Sequence, residues 1–510
     1  MNVLDRIVAA VSPRAGLRRA RHRLALQAVR AYEAGRITPR TQRWRAPDSG
    51  ANAEIGPALS RLRARARQMV RDNPYAARIV SVLAAHQVGC GIRPRPNTGD
   101  PALDRQALAL WESWARRCDA AGMHDFYGLQ LLAARARAES GEALVRFVRP
   151  GPAEMRRLGL PVPLMLDVME GDFLDVAKNE ARADGTRVVQ GVELDARGRR
   201  ARYWLLREHP GDGLALGSAT ADPVPAADVL HIFRALRPGQ VRGVPDLAPA
   251  LLRLRQLEDY EDAALEAAKV QATLAVFLQT MDATDLPGSP ADRDPIELMP
   301  GLVAELPPGT EPKFLQPSGA GAFEPFALHT LMAAAAGAGV TYDQATGDLR
   351  QANYSSLRAG KIEFRRMIEQ DQWLLFIPRL CQPVWDAFVQ AAVVAGALPP
   401  REGGYPVEWT PPRFEMIDPT KEIPAWRDGV RAGMMPWTEA VSELGYDPTW
   451  VADEIARSNA MWDDRGLVLD SDPRRTNQAG GAQDARQNAA VEIAATGAAL
   501  PTDPPDTEEE

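Results

Sequence analysis

Residues 247–280, LAPALLRLRQLEDYEDAALEAAKVQATLAVFLQT, run for 34 residues with no glycine and one proline, Pro249, near the start. This is the longest stretch free of helix breakers. As a single α-helix it would reach roughly 50 Å at 1.5 Å per residue. Its apolar positions, Leu247, Leu251, Leu254, Ala264, Ala268 and Ala275, fit a helical stripe only in part. The small residues among them would let a second helix approach closely.

A second pair of helical patterns lies further on. FEPFALHTLMAAAAGAG is rich in alanine, and YSSLRAGKIEFRRMIEQDQWLLF is long and amphipathic. Between them, residues 341–353 read as a polar, mobile loop carrying Asp343, Gln344, Asp348, Arg350, Gln351 and Asn353. Such a loop suits contact with something that moves past it. It does not suit chemistry, which needs rigid, convergent groups. Pro378 and Pro383 are expected to kink or break the next helix.

The remaining organisation is read from turn and cap signals. Asn73-Pro74 should cap and restart a helix, and helices are expected over 103–118 and 126–139, the latter capped by Asp125. Strands are expected at 142–149, 162–170 and 229–235, with a hairpin over 187–209 turning at Asp195–Gly198. Residues 281–322 are rich in proline and glycine, with two short strands expected around Pro307-Pro308-Gly309. Over 401–468, Asp418-Pro419 and Asp447-Pro448 read as helix starts. Trp426, Trp437, Trp450 and Trp462 are expected to anchor a compact helical core there. Residues 1–56 read as an arm and 469–510 as a disordered acidic tail.

Charge separates the two ends. The net charge is −7, yet residues 1–80 hold 17 arginines against five acids, and the last ten residues hold five acids and no base. A polyanion or an acidic partner is a natural match for the basic end. Of the 60 basic residues, 55 are arginine, which with abundant alanine and proline reads as a GC-rich genome. Cys90, Cys118 and Cys381 lie far apart without a CxxC, against a disulfide framework or a zinc site and for a reducing compartment. No run approaches the ~18 apolar residues of a membrane span, and no signal-peptide core is evident, so no membrane partner is expected.

A search for catalytic machinery returns nothing that converges. There is no GxxxxGK[ST], no HExxH and no GxSxG. Gly89-Cys90-Gly91 reads as a helix end. His124-Asp125 is better explained by capping, and Cys118 has no neighbouring base. Glu170, Asp172 and Asp175 could pair carboxylates on a metal, as nucleases do, but acids at a strand end are more often solvated. The chain is therefore expected to be non-enzymatic, without cofactor or metal.

Several stretches resemble, in order, the lambda-type portal family of bacteriophages. They are LRARARQMVRDNPYAARIV (62–80), VGCGIRPRP (88–96), WESWARRCDAAG (111–122) and DFYGLQLLAARARAESGEALVR (125–146). GVELDARGRRARYWLLREHPG (191–211), VLHIFRALRPGQVRGVPDLAPAL (229–251) and GDLRQANYSSLRAGKIEFRR (347–366) continue the series. Each motif alone is weak; their order over 57–440 is specific. The resemblance implies an α+β portal fold assembled as a ring, usually of twelve copies, at a capsid vertex. Double-stranded DNA would pass through it without sequence reading. It implies docking of the terminase large subunit, the major capsid protein and head-completion or tail-connector proteins, in the virion and in host cytoplasm during assembly.

The same resemblance assigns parts by order: an N-terminal arm (1–56), an α/β wing (57–246), a stem helix (247–280) and a clip (281–322). A second stem helix (323–340), the channel loop (341–353), an outward helix (354–400), a helical crown (401–468) and the tail (469–510) complete it. Two other readings stay open: a non-enzymatic DNA-binding or scaffolding protein using the basic arm, and a metal-dependent nuclease centred on Asp172 and Asp175.

Overall fold

The structure, a computed structural model, describes residues 43, 46–212, 220–272, 276–279, 303–306, 323–350, 354–412, 416, 418–444, 446, 448–469, 472 and 474–475. The expectations for most of the arm, for nearly all of 281–322 and for most of the tail lie outside these residues. The chain divides into two compact units, one of residues 1–57 with Arg237–Gln240, the other of 58–236 with 241–510.

In the first unit, the expected turn at Arg237-Pro238-Gly239 is held by the chain near Ser49. Arg237 pairs with Glu54 at 3.1 Å and donates to the Ser49 carbonyl at 2.9 Å. Asn52 Nδ2 donates to the Gly239 carbonyl at 2.9 Å.

Helix α1 (Ala51–Asp72) leads into the second unit and is succeeded by α2 (Pro74–Val88). Asn73 separates them as expected: its Oδ1 accepts from the amides of Tyr75 and Ala76, both at 3.0 Å. Those two donors would otherwise be orphaned at the helix start. Strand β1 (Arg93–Pro96), helix α3 (Pro101–Ala115) and helix α4 (Phe126–Ser140) come next. Gly141, at φ +92°, ends α4 and turns the chain straight into β2 (Glu142–Val148).

Two antiparallel sheets carry the middle of the chain. In one, β2 is central, flanked by β3 (Met165–Glu170) and β9 (Val229–Phe233). Leu144 stands opposite both Met169 and His231. A short helix α5 (Pro152–Leu158) links β2 to β3. The other sheet is a meander of β4 (Glu180–Ala181), β5 (Arg187–Val189), β6 (Val192–Leu194), β7 (Arg200–Leu206) and β8 (Ala221–Pro225). The expected hairpin turn is present between β6 and β7. Asp195 Oδ1 accepts from the amides of Arg197 and Arg199 at 2.9 and 2.8 Å, and Gly198 takes φ +81°.

The long segment does not form one helix. Helix α6 covers Leu251–Ala272, and Val276–Gln279 is instead strand β10, paired in parallel with β11 (Val303–Leu306). The sequence Val276-Phe277-Leu278 is apolar and β-prone, and a pairing partner overrides the absence of breakers. Of the two strands expected around Pro307-Pro308-Gly309, β11 is present; the stretch after it lies outside the described residues.

Helix α7 (Phe323–Ala338) returns against α6, with Tyr260 stacked on Phe323 at 5.7 Å between ring centroids. After α8 (Tyr342–Thr346) comes α9 (Tyr354–Asp371). The two prolines beyond α9 do not interrupt helical structure. Gln372–Cys381 widens to a π-helical pitch that contains Pro378, and α10 (Gln382–Val394) carries Pro383 in its first turn. A wide turn keeps the proline ring clear of the preceding carbonyl.

Three buried clusters hold this unit, one of them between the two sheets around Leu144, Val192 and Tyr203. A second is aromatic: Trp111 lies 4.9 Å from Trp114, 5.0 Å from Phe126 and 5.2 Å from Trp385, measured between ring centroids. Both outer indoles are satisfied, Trp114 by the Leu164 carbonyl and Trp385 by the Tyr405 carbonyl, each at 2.8 Å. The third joins α1, α2, α6, α7 and α9 through residues such as Ile79, Leu83, Leu254, Ala334 and Ile368. Alanine there lets the helix axes approach closely, as the composition of α7 suggests.

Strand β12 (Val407–Thr410) pairs with β1, and three helices end the described chain: α11 (Pro419–Arg431), α12 (Trp437–Glu443) and α13 (Pro448–Asp464). The tryptophans expected to form a core here do not. Trp437 and Trp450 are 40% and 53% exposed, and Trp426 and Trp462 are only half-buried.

Candidate functional site

The segment expected to be a polar loop is partly folded. Thr341 starts α8, and its amide donates to Gln344 Oε1 at 3.0 Å, the backward half of a capping box. Gly347, at φ +75°, ends the turn, with its amide on the Asp343 carbonyl at 2.7 Å. Ala345 is buried in the helical cluster, and Arg78 of α2 donates to the Gln344 carbonyl at 2.7 Å. Residues 341–347 therefore have a fixed floor. The reason is the local pattern Thr-x-x-Gln with a glycine after it, which is a helix start and stop compressed into one turn.

The charges sit beyond that floor. Asp348 Oδ1 accepts from the Arg350 amide and from its Nε, both at 3.0 Å, and Oδ2 accepts from Nη2 at 2.9 Å. Tyr342 Oη donates to Asp348 Oδ2 at 3.3 Å. The Arg350 guanidinium and amide hold the Asp348 carboxyl well below its usual range. The pair thus stays ionised and self-neutralised at any ordinary pH. Leu349, between the two in sequence, is 60% exposed. A cleft of about 570 Å³ opens beside them, lined by Tyr75, Phe323, Glu324, Tyr342, Asp348 and Arg350 among others. The structure thus joins Asp348 and Arg350 in one contact, leaves Asp343 half-buried at the other end of α8, and uses Gln344 as a cap. Gln351 and Asn353 lie outside the described residues.

The acidic cluster takes a different form from the one expected. Glu170 and Asp172 are joined by His209, not by Asp175. Asp175 Oδ1 instead accepts from the Ala177 amide at 3.0 Å, a local turn contact. Arg67 reaches both remaining carboxylates, lying 2.7 Å from Glu170 Oε2 and bonded to Asp172 Oδ2. A cation bound there would have to displace a guanidinium that already satisfies both acids. The arrangement therefore ties α1 to the end of β3.

Two buried charge networks among the described residues carry no signal in the sequence. At the first, Glu142 is fully buried at the start of β2. Arg242 donates to it through Nε at 2.9 Å and Nη2 at 2.6 Å, Arg63 adds a further bond, and the Gly243 amide reaches Oε2 at 2.7 Å. His231 Nε2 lies 3.0 Å from Oε2. Burial alone would raise the Glu142 carboxyl; Arg242, Arg63 and His231 outweigh it and hold the group well below its ordinary value. Burial lowers His231, so its ring is neutral and donates one proton to the carboxylate. Gly171 is required beside it, because a Cβ there would stand 2.4 Å from Glu142 Oε1.

At the second, Arg137 lies 3.1 Å from Asp246 and 3.5 Å from Asp371, and Arg234 lies 3.7 Å from Asp246 and also bonds Asp371. Asp246 precedes α6 and Asp371 ends α9, so one lattice fixes the roots of both helices. No local sequence signal marks either site, since each partner comes from a distant segment.

Comparison with known proteins gives one consistent result. The model of the lambda family of phage portal proteins matches residues 38–372. A probable portal protein of Halomonas phage phiHAP-1 is 29% identical over 459 residues, 84% of this chain and 86% of that protein. The portal protein of Escherichia phage N15 is 25% identical over 368 residues, 63% of this chain and 67% of that one. Portal protein B of Escherichia phage lambda is 22% identical over 361 residues, 63% of this chain and 66% of that one. Among solved structures, a chain from the neck of a native gene transfer agent particle, computed with C12 symmetry, is 18% identical. It covers 82% of this chain and 100% of that one at a TM-score of 0.38, too distant to carry a structural argument.

Proposed function

The chain belongs to the lambda family of phage portal proteins, and from that premise we propose that it closes into a ring through which double-stranded DNA is packaged and ejected. The observation that carries the reading is the family match over 38–372, which takes in everything from α1 to α9. The ring occupies a capsid vertex, with twelve copies as the expected number. It docks the terminase large subunit during packaging and a head-completion or tail-connector protein afterwards, within the major capsid shell. Its role is structural, with no chemistry of its own.

In this reading residues 57–246 form the wing, 247–280 and 323–340 the stem, 281–322 the clip and 401–468 the crown. Residues 341–353 line the channel, and 354–400 form the outward helix. The loop geometry suits that place. Counterion release makes each neutralised phosphate tighten DNA binding, so a ring of free arginines would brake the passing duplex. Pairing Arg350 with Asp348 removes that brake and leaves polar, sequence-blind contacts.

Negative-stain microscopy of the purified full-length chain tests the proposal. Rings with an axial hole are expected. A preparation that stays monomeric, or that forms only open filaments, would overturn it.

A further inference from the structure

Two helices of this chain carry stripes of opposite charge at the same spacing. On α6, residues 258–266 hold five acids and no base, Glu258, Asp259, Glu261, Asp262 and Glu266. On α9, residues 358–366 hold four bases, Arg358, Lys361, Arg365 and Arg366, and one acid, Glu363. Asp259, Asp262 and Glu266 fall in the pattern i, i+3, i+7, and so do Arg358, Lys361 and Arg365. Residues so spaced share one helix face, and each stripe is about 10 Å long.

The acidic stripe lies away from the face that α6 buries, whereas the basic stripe runs along the edge of the buried face of α9, with Arg358 and Lys361 exposed and Arg365 half-buried. Helix α6 buries Leu251, Leu254 and Leu257, and α9 buries Phe364 and Ile368. Each stripe is flanked by a large exposed apolar residue, Leu265 at 55% and Ile362 at 53%. The acids are only weakly compensated within their own copy. Asp259 pairs with Arg255 at 2.9 Å and Glu266 with Lys269 at 2.7 Å, both one turn away on an exposed surface. Such pairs contribute little. Among the described residues Asp262, Arg358 and Lys361 form no ion pair. The Glu261 carboxyl is raised by burial and then by the adjacent negative charge of Glu258 and Asp262.

We propose that the acidic stripe of α6 docks on the basic stripe of α9 in a second copy of this chain, with Leu265 and Ile362 packing between them. The proposal rests on the ring reading above and names the surfaces that close the ring. The two patches are different parts of one copy, so the contact is head-to-tail, the kind that repeats around a ring. An acidic stripe repels DNA, and this chain supplies a cationic stripe of matching length, which is why a second copy is the occupant.

Paired charge reversals in the full-length chain test it, read by sedimentation velocity and native mass spectrometry. Asp259→Lys with Asp262→Lys, and separately Arg358→Glu with Lys361→Glu, are each expected to lower the assembled fraction about tenfold, because like charges then face each other. All four together are expected to restore assembly to within about threefold of the unchanged chain, because the attraction is rebuilt with its sign exchanged. Unchanged assembly in both single sets, or no recovery in the combined set, overturns the surface assignment while the ring reading stands on the unchanged chain's own rings. Absence of rings from the unchanged chain overturns both. If Arg358→Glu with Lys361→Glu keeps the ring and loses only DNA binding, the basic stripe serves DNA and the proposal fails. Should a reversal prevent folding, Asp259→Asn with Asp262→Asn and Arg358→Gln with Lys361→Gln replace it. These should flatten the loss of assembly with added salt, and an unaltered salt dependence counts against the contact.

Discussion

Glu142 with its arginines and Asp348 with Arg350 use the same chemistry in opposite settings. Glu142 is fully enclosed, reached by two guanidiniums, an imidazole and a backbone amide. Asp348 meets one guanidinium at the surface, with Arg350 itself 77% exposed. A buried carboxylate stripped of its charge leaves arginines stranded in low dielectric, whereas an exposed pair gives its partners back to water. One pairing therefore holds the fold, and the other sets the charge of a surface that other molecules can meet.

The largest test of that contrast is Glu142→Gln, which keeps the shape and removes the charge. It should cost about 3–5 kcal/mol, the range for breaking a buried ion network on one side. Urea denaturation of the full chain reads it. A cost below about 1 kcal/mol would place Glu142 in the same class as an exposed pair and erase the distinction.

Asp371→Asn should fall in between. Asp371 is largely buried and shared by Arg137 and Arg234, yet Arg137 keeps Asp246 at 3.1 Å when Asp371 is neutralised. About 1.5–3 kcal/mol is expected, the scale of a charged hydrogen bond. Hydrogen exchange should locate the loosening at the end of α9 and the start of α6. A uniform loss across the chain would show that the lattice does not act at the helix roots.

How much of the molecule is legible in its sequence depends on the chain distance each contact spans. The Asn73 cap, the Asp195–Gly198 turn and the Asp125 cap are local, and the residue types alone predict them. Arg63 and Arg242 stand 79 and 100 residues from Glu142, so no window of sequence joins them. The same limit applies to the tryptophans. Trp111 and Trp450 look alike in sequence, yet only the first has a second layer of aromatic residues, Trp385 and Phe388, to pack against. The long segment shows the limit in another form: breaker-free sequence permits a helix through 280, and a partner strand at Val303–Leu306 takes its end away. In residues 341–353 the polarity is legible. The capping turn that fixes their first half is also written locally, in Thr341, Gln344 and Gly347, but the polarity of the segment masks it.

Acid should separate the two settings without any substitution. Burial lowers the His231 pKa below its ordinary 6.5, against the opposing pull of Glu142. A group with a lowered folded value takes its proton more readily in the unfolded chain, so stability rises with pH across the window ending near 6.5 and falls as pH drops through it. Glu142 is lowered from 4.5, so its contribution is lost as pH falls below that value. Melting temperature should therefore begin to decline as pH falls below 6.5, and His231→Gln should remove the decline between 6.5 and 4.5. An unchanged decline over that range in the variant would show that another group titrates there.

The smallest effect on the fold should be the most informative about the channel. Asp348→Asn removes the acceptor of an exposed pair, so stability should change by less than about 1 kcal/mol. Its effect on the surface is larger. Arg350 loses its bidentate partner and each copy gains one positive charge at the loop, multiplied by the number of copies around a ring. Every phosphate so engaged steepens the salt dependence of DNA binding, by a slope of about 0.9 per contact for duplex DNA. Packaging in the variant should be slower at low salt and recover as salt rises, with ring formation untouched. Arg350→Gln should do the reverse and leave the Asp348 charge without a cation, weakening contact with DNA at every salt concentration. If both variants package like the unchanged chain, the Asp348–Arg350 pair does not face the DNA, and residues 341–353 line something other than the channel.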